Sequence, residues 1–159
     1  AWMVVEWMHS GKPTVLGLAS GAVAGLVTIT PAAGFVNVTG AVIMGILAGV
    51  VPFYSVALLK PKLGYDDALD VVGVHAVGGT FGALATGVFA TVNAGSLITG
   101  DVKQLGVQAV GVAAAWAYGF CVTFALCKIL DKTVGLRVSD ADELNGLDQS
   151  AHGEVGYSL

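Results

Sequence analysis

The chain has 159 residues, of which 55% are hydrophobic and only 11% are charged, and its formal net charge is −4. A soluble domain would carry about 25% charged residues, so this composition excludes an ordinary soluble protein. The mean hydropathy of +0.80 points in the same direction. There is no run of basic residues, which argues against nucleic acid as a partner.

The distribution of charge predicts where the chain crosses a membrane. Three long stretches contain no Asp, Glu, Lys or Arg: residues 13–59, 71–100 and 104–127. A membrane-spanning helix needs about 20 apolar residues, so the first stretch can hold two helices and each of the others one. We therefore predict an all-α integral membrane protein with four transmembrane helices. These spans lie at about residues 14–34, 39–59, 69–91 and 105–130.

The two ends of the chain differ in character. The first residues form an apolar stretch that ends near His9, which predicts the end of one further, partial span before the other four. Residues 1–132 are therefore predicted to form the transmembrane domain. Residues 133–159 are polar and acidic, and we predict that they form a solvated tail.

The basic residues predict which side of the membrane the tail occupies, because Lys and Arg are enriched in cytoplasmic loops. With four spans, six basic residues fall on one side: Lys12, Lys60, Lys62, Lys128, Lys132 and Arg137. Lys103 falls on the other side. We therefore predict a multi-pass protein of the plasma membrane whose C-terminal tail is cytoplasmic.

His75 is an ionisable residue inside the third predicted span, five residues after Asp70. An ionisable side chain at such depth is a candidate functional residue. A core histidine bonded to a carbonyl of a neighbouring helix is an equally good interpretation at this point. A neutral imidazole offers one donor and one acceptor, which suits a small polar solute better than a bare cation.

Two further polar residues each have a structural and a functional interpretation. Asp70 lies at the predicted start of the His75 helix, where a carboxylate can accept backbone N–H bonds or attract a cation toward a pore. Ser20, inside the first span, can bond back to its own helix or face a pore. No metal-ligand, phosphate-loop or nucleophile motif occurs in the sequence, which predicts neither an enzyme nor a bound metal or cofactor.

Seven segments, in order along nearly the whole chain, resemble the ammonium transporters of the Amt/Mep/Rh family. They are residues 12–14, 19–27, 30–34, 66–79, 86–90, 135–138 and 146–154. Each motif alone is moderately specific, whereas the ordered set is highly specific. The tail segments are more similar to the Amt branch than to the Rhesus branch.

The resemblance implies an eleven-span protomer in a homotrimer, with one narrow pore in each protomer. This chain would supply the last four spans and part of the preceding one. His75 would be the second of two pore histidines, Val71 would line the apolar pore, and Asp70 would be the aspartate that precedes the histidine. Ala76 stands where the family often has Gly.

The same resemblance implies a function and its regulation. The lead hypothesis is conduction of ammonium or ammonia across the lipid bilayer. The alternative is an ammonium sensor or signalling subunit that acts through its cytoplasmic tail. In bacterial and archaeal members a PII-type signalling protein plugs the cytoplasmic pore mouth, and the tail residues expected to contribute are Arg137, Gly146, Asp148 and His152. Ser150 stands where some relatives carry a regulatory threonine.

Overall fold

The computed structural model describes residues 1–156, which are almost entirely helical. The α-helices in chain order are α1 (Trp2–Ser10), α2 (Val15–Ile29), α3 (Val38–Tyr54), α4 (Lys60–Leu63), α5 (Gly78–Phe89), α6 (Val102–Thr133), α7 (Asp140–Asn145) and α8 (Leu147–His152). An isolated bridge between Val36 and Ala90 is the only β-type pairing within this described range.

Shorter helical segments extend three of these helices. A π-helical segment, Ser55–Leu59, joins α3 to α4, and a second one, Val72–Val77, leads directly into α5. The 3-10 turn Thr30–Ala32 continues α2. Pro52 lies inside α3, shortly before the first π segment. Because proline lacks a backbone N–H, it removes one regular helical bond in the turn that precedes this segment.

Four helical stretches are long and apolar enough to cross a membrane: Val15–Ala32, Val38–Leu63, Val72–Phe89 and Val102–Thr133. The predicted class, an all-α membrane protein with four spans, is confirmed. Some ends differ from the prediction, since the fourth helix extends beyond residues 105–130 at both ends. Hydropathy locates the apolar part of a span, whereas the helix itself continues through charged residues whose head groups reach water.

Ala1–Ala114 form one compact unit in which α2 packs against α3 and α5, and α1 packs against α2 and α3. One apolar cluster contains the buried residues Trp2, Ala24, Phe53 and Val74. The other contains Ala32, Met44 and Ala85. The many apolar side chains left exposed along the helices are those expected of a protein that lies in a lipid bilayer.

The contact between α2 and α5 depends on small residues. Gly82 of α5 lies directly against the backbone of Thr28, so that a Cβ at this position would overlap the Thr28 carbonyl oxygen. Thr28 is fully buried, and its Oγ1 donates a hydrogen bond of 3.3 Å to the Gly78 carbonyl. Close approach at small residues is how membrane helices gain packing contacts in the absence of a hydrophobic driving force.

Side-chain caps fix where two of the spans begin. The Thr14 hydroxyl accepts a hydrogen bond of 2.8 Å from the Gly17 N–H at the start of α2. The Asn37 side chain accepts one of 2.9 Å from the Gly40 N–H at the start of α3. Each cap satisfies an N–H group that lacks a partner within its own helix.

Ala115–Leu159 form a second unit, in which the structure describes the C-terminal part of α6 and the helices α7 and α8. Ser139 caps α7, since its hydroxyl accepts from the Asp142 N–H at 3.2 Å. Arg137 donates to both carboxylate oxygens of Glu143 at 3.2 Å. The helices α7 and α8 also pack against each other, so this part of the tail is folded.

Candidate functional site

His75 lies in the π-helical segment Val72–Val77, and the start of this segment is held by one carboxylate. The two carboxylate oxygens of Asp67 accept hydrogen bonds from the backbone N–H groups of Val71, at 2.9 Å, and Val72, at 2.8 Å. These N–H groups have no acceptor within the helix, so the bonds satisfy them and place a negative charge at the positive end of the helix dipole.

Of the two interpretations of the Asp70 side chain, helix capping is therefore wrong, because its carboxylate accepts no backbone N–H bond within residues 1–156 and Asp67 accepts those of Val71 and Val72 instead. Asp70 takes part in the helix start through its backbone, since its carbonyl accepts from the Val74 N–H at 2.9 Å. Its φ of 57° lies in the left-handed region, which a residue other than glycine seldom adopts. Its carboxylate is bonded to Lys60 instead.

Lys60 links the end of the second span to the start of the third. Its Nζ donates to Asp70 Oδ1 and to the Asp67 carbonyl oxygen, both at 2.6 Å. The side chains of Lys60 and Asp70 are each 28% exposed, so the ion pair is partly withdrawn from water. Partial burial lowers the effective dielectric around the charges and strengthens their attraction compared with a fully exposed pair.

His75 is exposed on the surface of the chain, and its imidazole makes no hydrogen bond or ring contact with residues 1–156. The interpretation as a core histidine bonded to a neighbouring carbonyl thus finds no partner within this range. Val71, four residues earlier, is 48% exposed, and residues four apart lie on the same side of a helix. Both His75 and Val71 are therefore exposed at the start of the third span.

Ser20 lies on α2, which packs against the π segment that carries His75. It is half-buried, and its hydroxyl forms no hydrogen bond with any residue that the structure describes, including the carbonyls of its own helix. The structure brings the two helices together, but it gives no direct contact between Ser20 and His75.

The sequence interpretation missed Lys60 and Asp67, whose roles come from pairing across a turn. A signal for each was present. Lys60 is the first charged residue after the long uncharged stretch of residues 13–59, and Asp67 precedes the next uncharged stretch, residues 71–100, by one helical turn. An aspartate at that distance from an apolar run is a common helix start, and a lysine at the end of a span needs an anionic partner or water.

Four of the predicted tail residues lie in one small turn around α8. Gly146 has a φ of 94°, which favours glycine, and joins α7 to α8. The Ser150 hydroxyl donates to the Gly146 carbonyl at 3.2 Å, and Asp148 Oδ2 accepts from the Gly156 N–H at 3.0 Å. His152 is the last residue of α8. The fifth residue, Arg137, bonds to Glu143 of α7 instead.

The bond from the Gly156 N–H, followed by that from Gln149, stabilises the carboxylate and holds the pKa of Asp148 below its ordinary value of 3.8. A lowered pKa in the folded tail means that this contribution to stability is present above pH 3.8 and is lost as the pH falls through the folded value.

We expect Asp148→Asn to weaken the turn wherever Asp148 is ionised, that is, above pH 3.8, because the neutral amide oxygen accepts a weaker hydrogen bond from the Gly156 N–H than the carboxylate does. The Gly156 amide resonance, followed by NMR in protein labelled with 15N-glycine, should shift toward the value of an unbonded amide. Asp140→Asn, which removes an equal charge from α7, is the matched control. An unchanged Gly156 resonance in Asp148→Asn would contradict the assignment of this bond.

Known proteins share both the sequence and the fold of this chain. The family model for the Ammonium Transporter Family matches residues 1–157. An ammonium transporter of Aquifex aeolicus (strain VF5) is 53% identical over 162 aligned residues, which cover 100% of this chain and 38% of that protein. The chain thus spans about two fifths of the length of this curated relative.

Solved structures show the same fold. The crystal structure of Saccharomyces cerevisiae Mep2 superposes with a TM-score of 0.80 at 38% identity, and covers 88% of this chain and 34% of that one. A solved Sensor Amt Protein superposes with a TM-score of 0.76 at 29% identity, over 94% of this chain and 37% of that one. With four apolar spans and a family match along almost its whole length, this multi-pass membrane chain belongs to the ammonium transporter family.

Proposed function

We propose that the full-length protein containing this chain conducts ammonium across the membrane, in the form of ammonia, through an apolar pore that His75 and Val71 line. The observation that carries this proposal is the position of His75, which lies exposed on a membrane span with no partner in residues 1–156. We infer that the solute is ammonium because the chain is 53% identical to an ammonium transporter of Aquifex aeolicus.

The physical chemistry of the solute explains why a histidine is useful there. An ammonium ion loses its hydration in a long apolar passage, and the cost of burying an unpaired charge is prohibitive. Ammonia is neutral and crosses the same passage at a far smaller cost. The ring nitrogen of neutral His75 that faces the pore can donate a hydrogen bond to the solute or accept one from it, which compensates for the lost water. A second histidine, from a part of the protein outside this chain, completes the pair through which the released proton is relayed.

The proposed orientation follows from the basic residues. The tail from residue 133 onward lies in the cytoplasm, and its folded α7–α8 region helps to bind a PII-type signalling protein at the pore mouth of a homotrimer. Inside-out membrane vesicles should bind an added PII-type protein, and right-side-out vesicles should not. Binding to right-side-out vesicles alone would place the tail outside the cell and overturn this orientation.

A second candidate function has a specific observation in its favour. The solved Sensor Amt Protein matches 94% of this chain, so the same spans occur in a protein named as a sensor. In this alternative the full-length protein binds ammonium and reports it through its tail, and flux is not its main output.

Growth on low ammonium distinguishes the two functions. We expect the full-length protein to restore growth of cells that lack their own ammonium transporters, because ammonia conducted inward relieves nitrogen limitation. The same cells at high ammonium provide the control, since they should grow equally with and without the protein. Absence of rescue by a well-expressed and correctly inserted protein would contradict transport and favour the sensor.

A further inference from the structure

The start of the His75 segment is held from two directions. From the helix side, the Asp67 carboxylate binds the first free N–H groups of the segment. From the side of the second span, Lys60 binds the Asp67 carbonyl and the Asp70 carboxylate. The turn of residues 67–70 between these contacts therefore has little freedom to rotate or shift.

Asp70 shows that this turn has an unusual backbone conformation. Its φ of 57° is unfavourable for a side chain with a Cβ, and such conformations persist where the surrounding contacts over-determine them. The contacts that act on Asp70 are the Lys60 ammonium on its carboxylate and the Val74 N–H on its carbonyl. Without Lys60, the carboxylate would lose the one ion pair that the structure gives it within residues 1–156.

The same turn is bonded directly to the segment that carries His75. Val74, which bonds to the Asp70 carbonyl, immediately precedes His75 in the π segment. A rotation of the turn would rotate the segment about its axis and move the imidazole relative to the pore. The segment also packs closely on the second span, where a Cβ added at Gly73 would lie 2.5 Å from Val56 Cγ2. Lys60 directly follows the π segment Ser55–Leu59 that contains Val56.

We propose that Lys60 is a positioning residue for His75. It links the end of one π segment to the start of the other and fixes the rotation of the segment that carries the histidine. Lys60 need not touch the transported solute, because it acts through the Asp67–Asp70 turn. This inference rests on the proposed pore function for its effect on transport, but its effect on the position of His75 is independent of that function.

The experiment compares three variants of the full-length protein. Lys60→Met keeps a long apolar side chain and removes both hydrogen bonds. Lys60→Arg keeps the charge and can reach the same oxygen atoms. Lys62→Met is the matched control, because Lys62 is exposed, lies two residues further along and forms no hydrogen bond or ion pair within the described residues.

The first readout is ammonium uptake into liposomes, with the maximal rate per inserted molecule separated from KM. We expect Lys60→Met to lower the maximal rate about tenfold, because small displacements of a positioned group cost rate steeply. KM should change far less. Lys60→Arg should retain most of the rate, and Lys62→Met should match the unmodified protein. A merely structural role would reduce the amount of inserted protein and leave the rate per molecule unchanged.

The second readout does not depend on transport. The 15N resonances of the His75 ring, assigned by their loss in His75→Ala, should shift in Lys60→Met and stay in place in Lys62→Met. If Lys60→Met does not insert, Asp70→Asn, which removes the anionic partner of Lys60, should produce the same shift. Unchanged ring resonances in the inserted variant would overturn the proposal. An unmodified protein without uptake would overturn the transport function, and the ring resonances alone would then decide the role of Lys60.

Discussion

Replacing His75 with alanine in the full-length protein is expected to lower ammonium conduction about a hundredfold or more. A positioned group that accepts or donates a proton typically contributes 10²- to 10⁴-fold, roughly the range expected here. Alanine removes the imidazole and leaves an apolar passage without a donor or acceptor at this depth. The ammonia molecule would then lose its water without any compensation.

The measurement is the initial current or uptake in liposomes that contain equal amounts of inserted protein. His75→Gln separates two contributions of the imidazole, since glutamine keeps a donor and an acceptor but does not exchange a proton. If His75 only binds the neutral solute, the glutamine variant retains conduction. If it also relays the proton, both variants lose the ammonium-driven current. Conduction that is unchanged in His75→Ala would exclude His75 from the pore mechanism.

The fold class could be predicted from the sequence because each membrane span is encoded by one continuous apolar stretch of residues. A span needs an uninterrupted apolar run, and the charged residues mark where each run stops. The four spans follow directly from this rule. Their exact ends do not, since α6 continues to Thr133, past the charged residues Lys128 and Asp131.

Only part of the candidate site could be predicted from the sequence. His75 could be identified from its depth alone, because an ionisable group in a span is costly wherever its neighbours lie. The partners of Asp70 could not, since the choice between a helix cap and an ion pair depends on the turn of residues 67–70. Asp67 accepts from the free N–H groups, whereas Asp70, whose backbone is left-handed, pairs with Lys60.

The π-helical winding was not predictable either. A π segment arises where one extra residue is accommodated in a helix, and its stability depends on contacts with neighbouring helices. Here the two π segments pack against each other, with Gly73 at their contact. Sequence periodicity of an apolar helix does not reveal this, because nearly every position is hydrophobic.

A large loss of stability is expected when Gly82, which contacts the Thr28 backbone, is replaced with alanine. Gly82→Ala places a Cβ against a backbone carbonyl, which cannot move aside as the end of a flexible side chain can. To relieve the overlap, α2 and α5 must separate, which also weakens the bond from Thr28 Oγ1 to the Gly78 carbonyl. Overpacking of this kind lowers the free energy of unfolding by about 1–3 kcal/mol, and the higher helix propensity of alanine offsets about 1 kcal/mol of this at most.

The net effect of Gly82→Ala is therefore destabilisation, visible as a lower midpoint of thermal unfolding in detergent. Gly25→Ala on α2 is the matched control, because within residues 1–156 a Cβ there has no atom outside its own helix backbone and chain neighbours within 4 Å. That variant gains helix propensity without an overlap, so its midpoint should be unchanged or higher. Equal midpoints for Gly82→Ala and the unmodified protein would show that α2 and α5 can separate without cost. The close approach of the two helices would then not contribute to holding the His75 segment against α2.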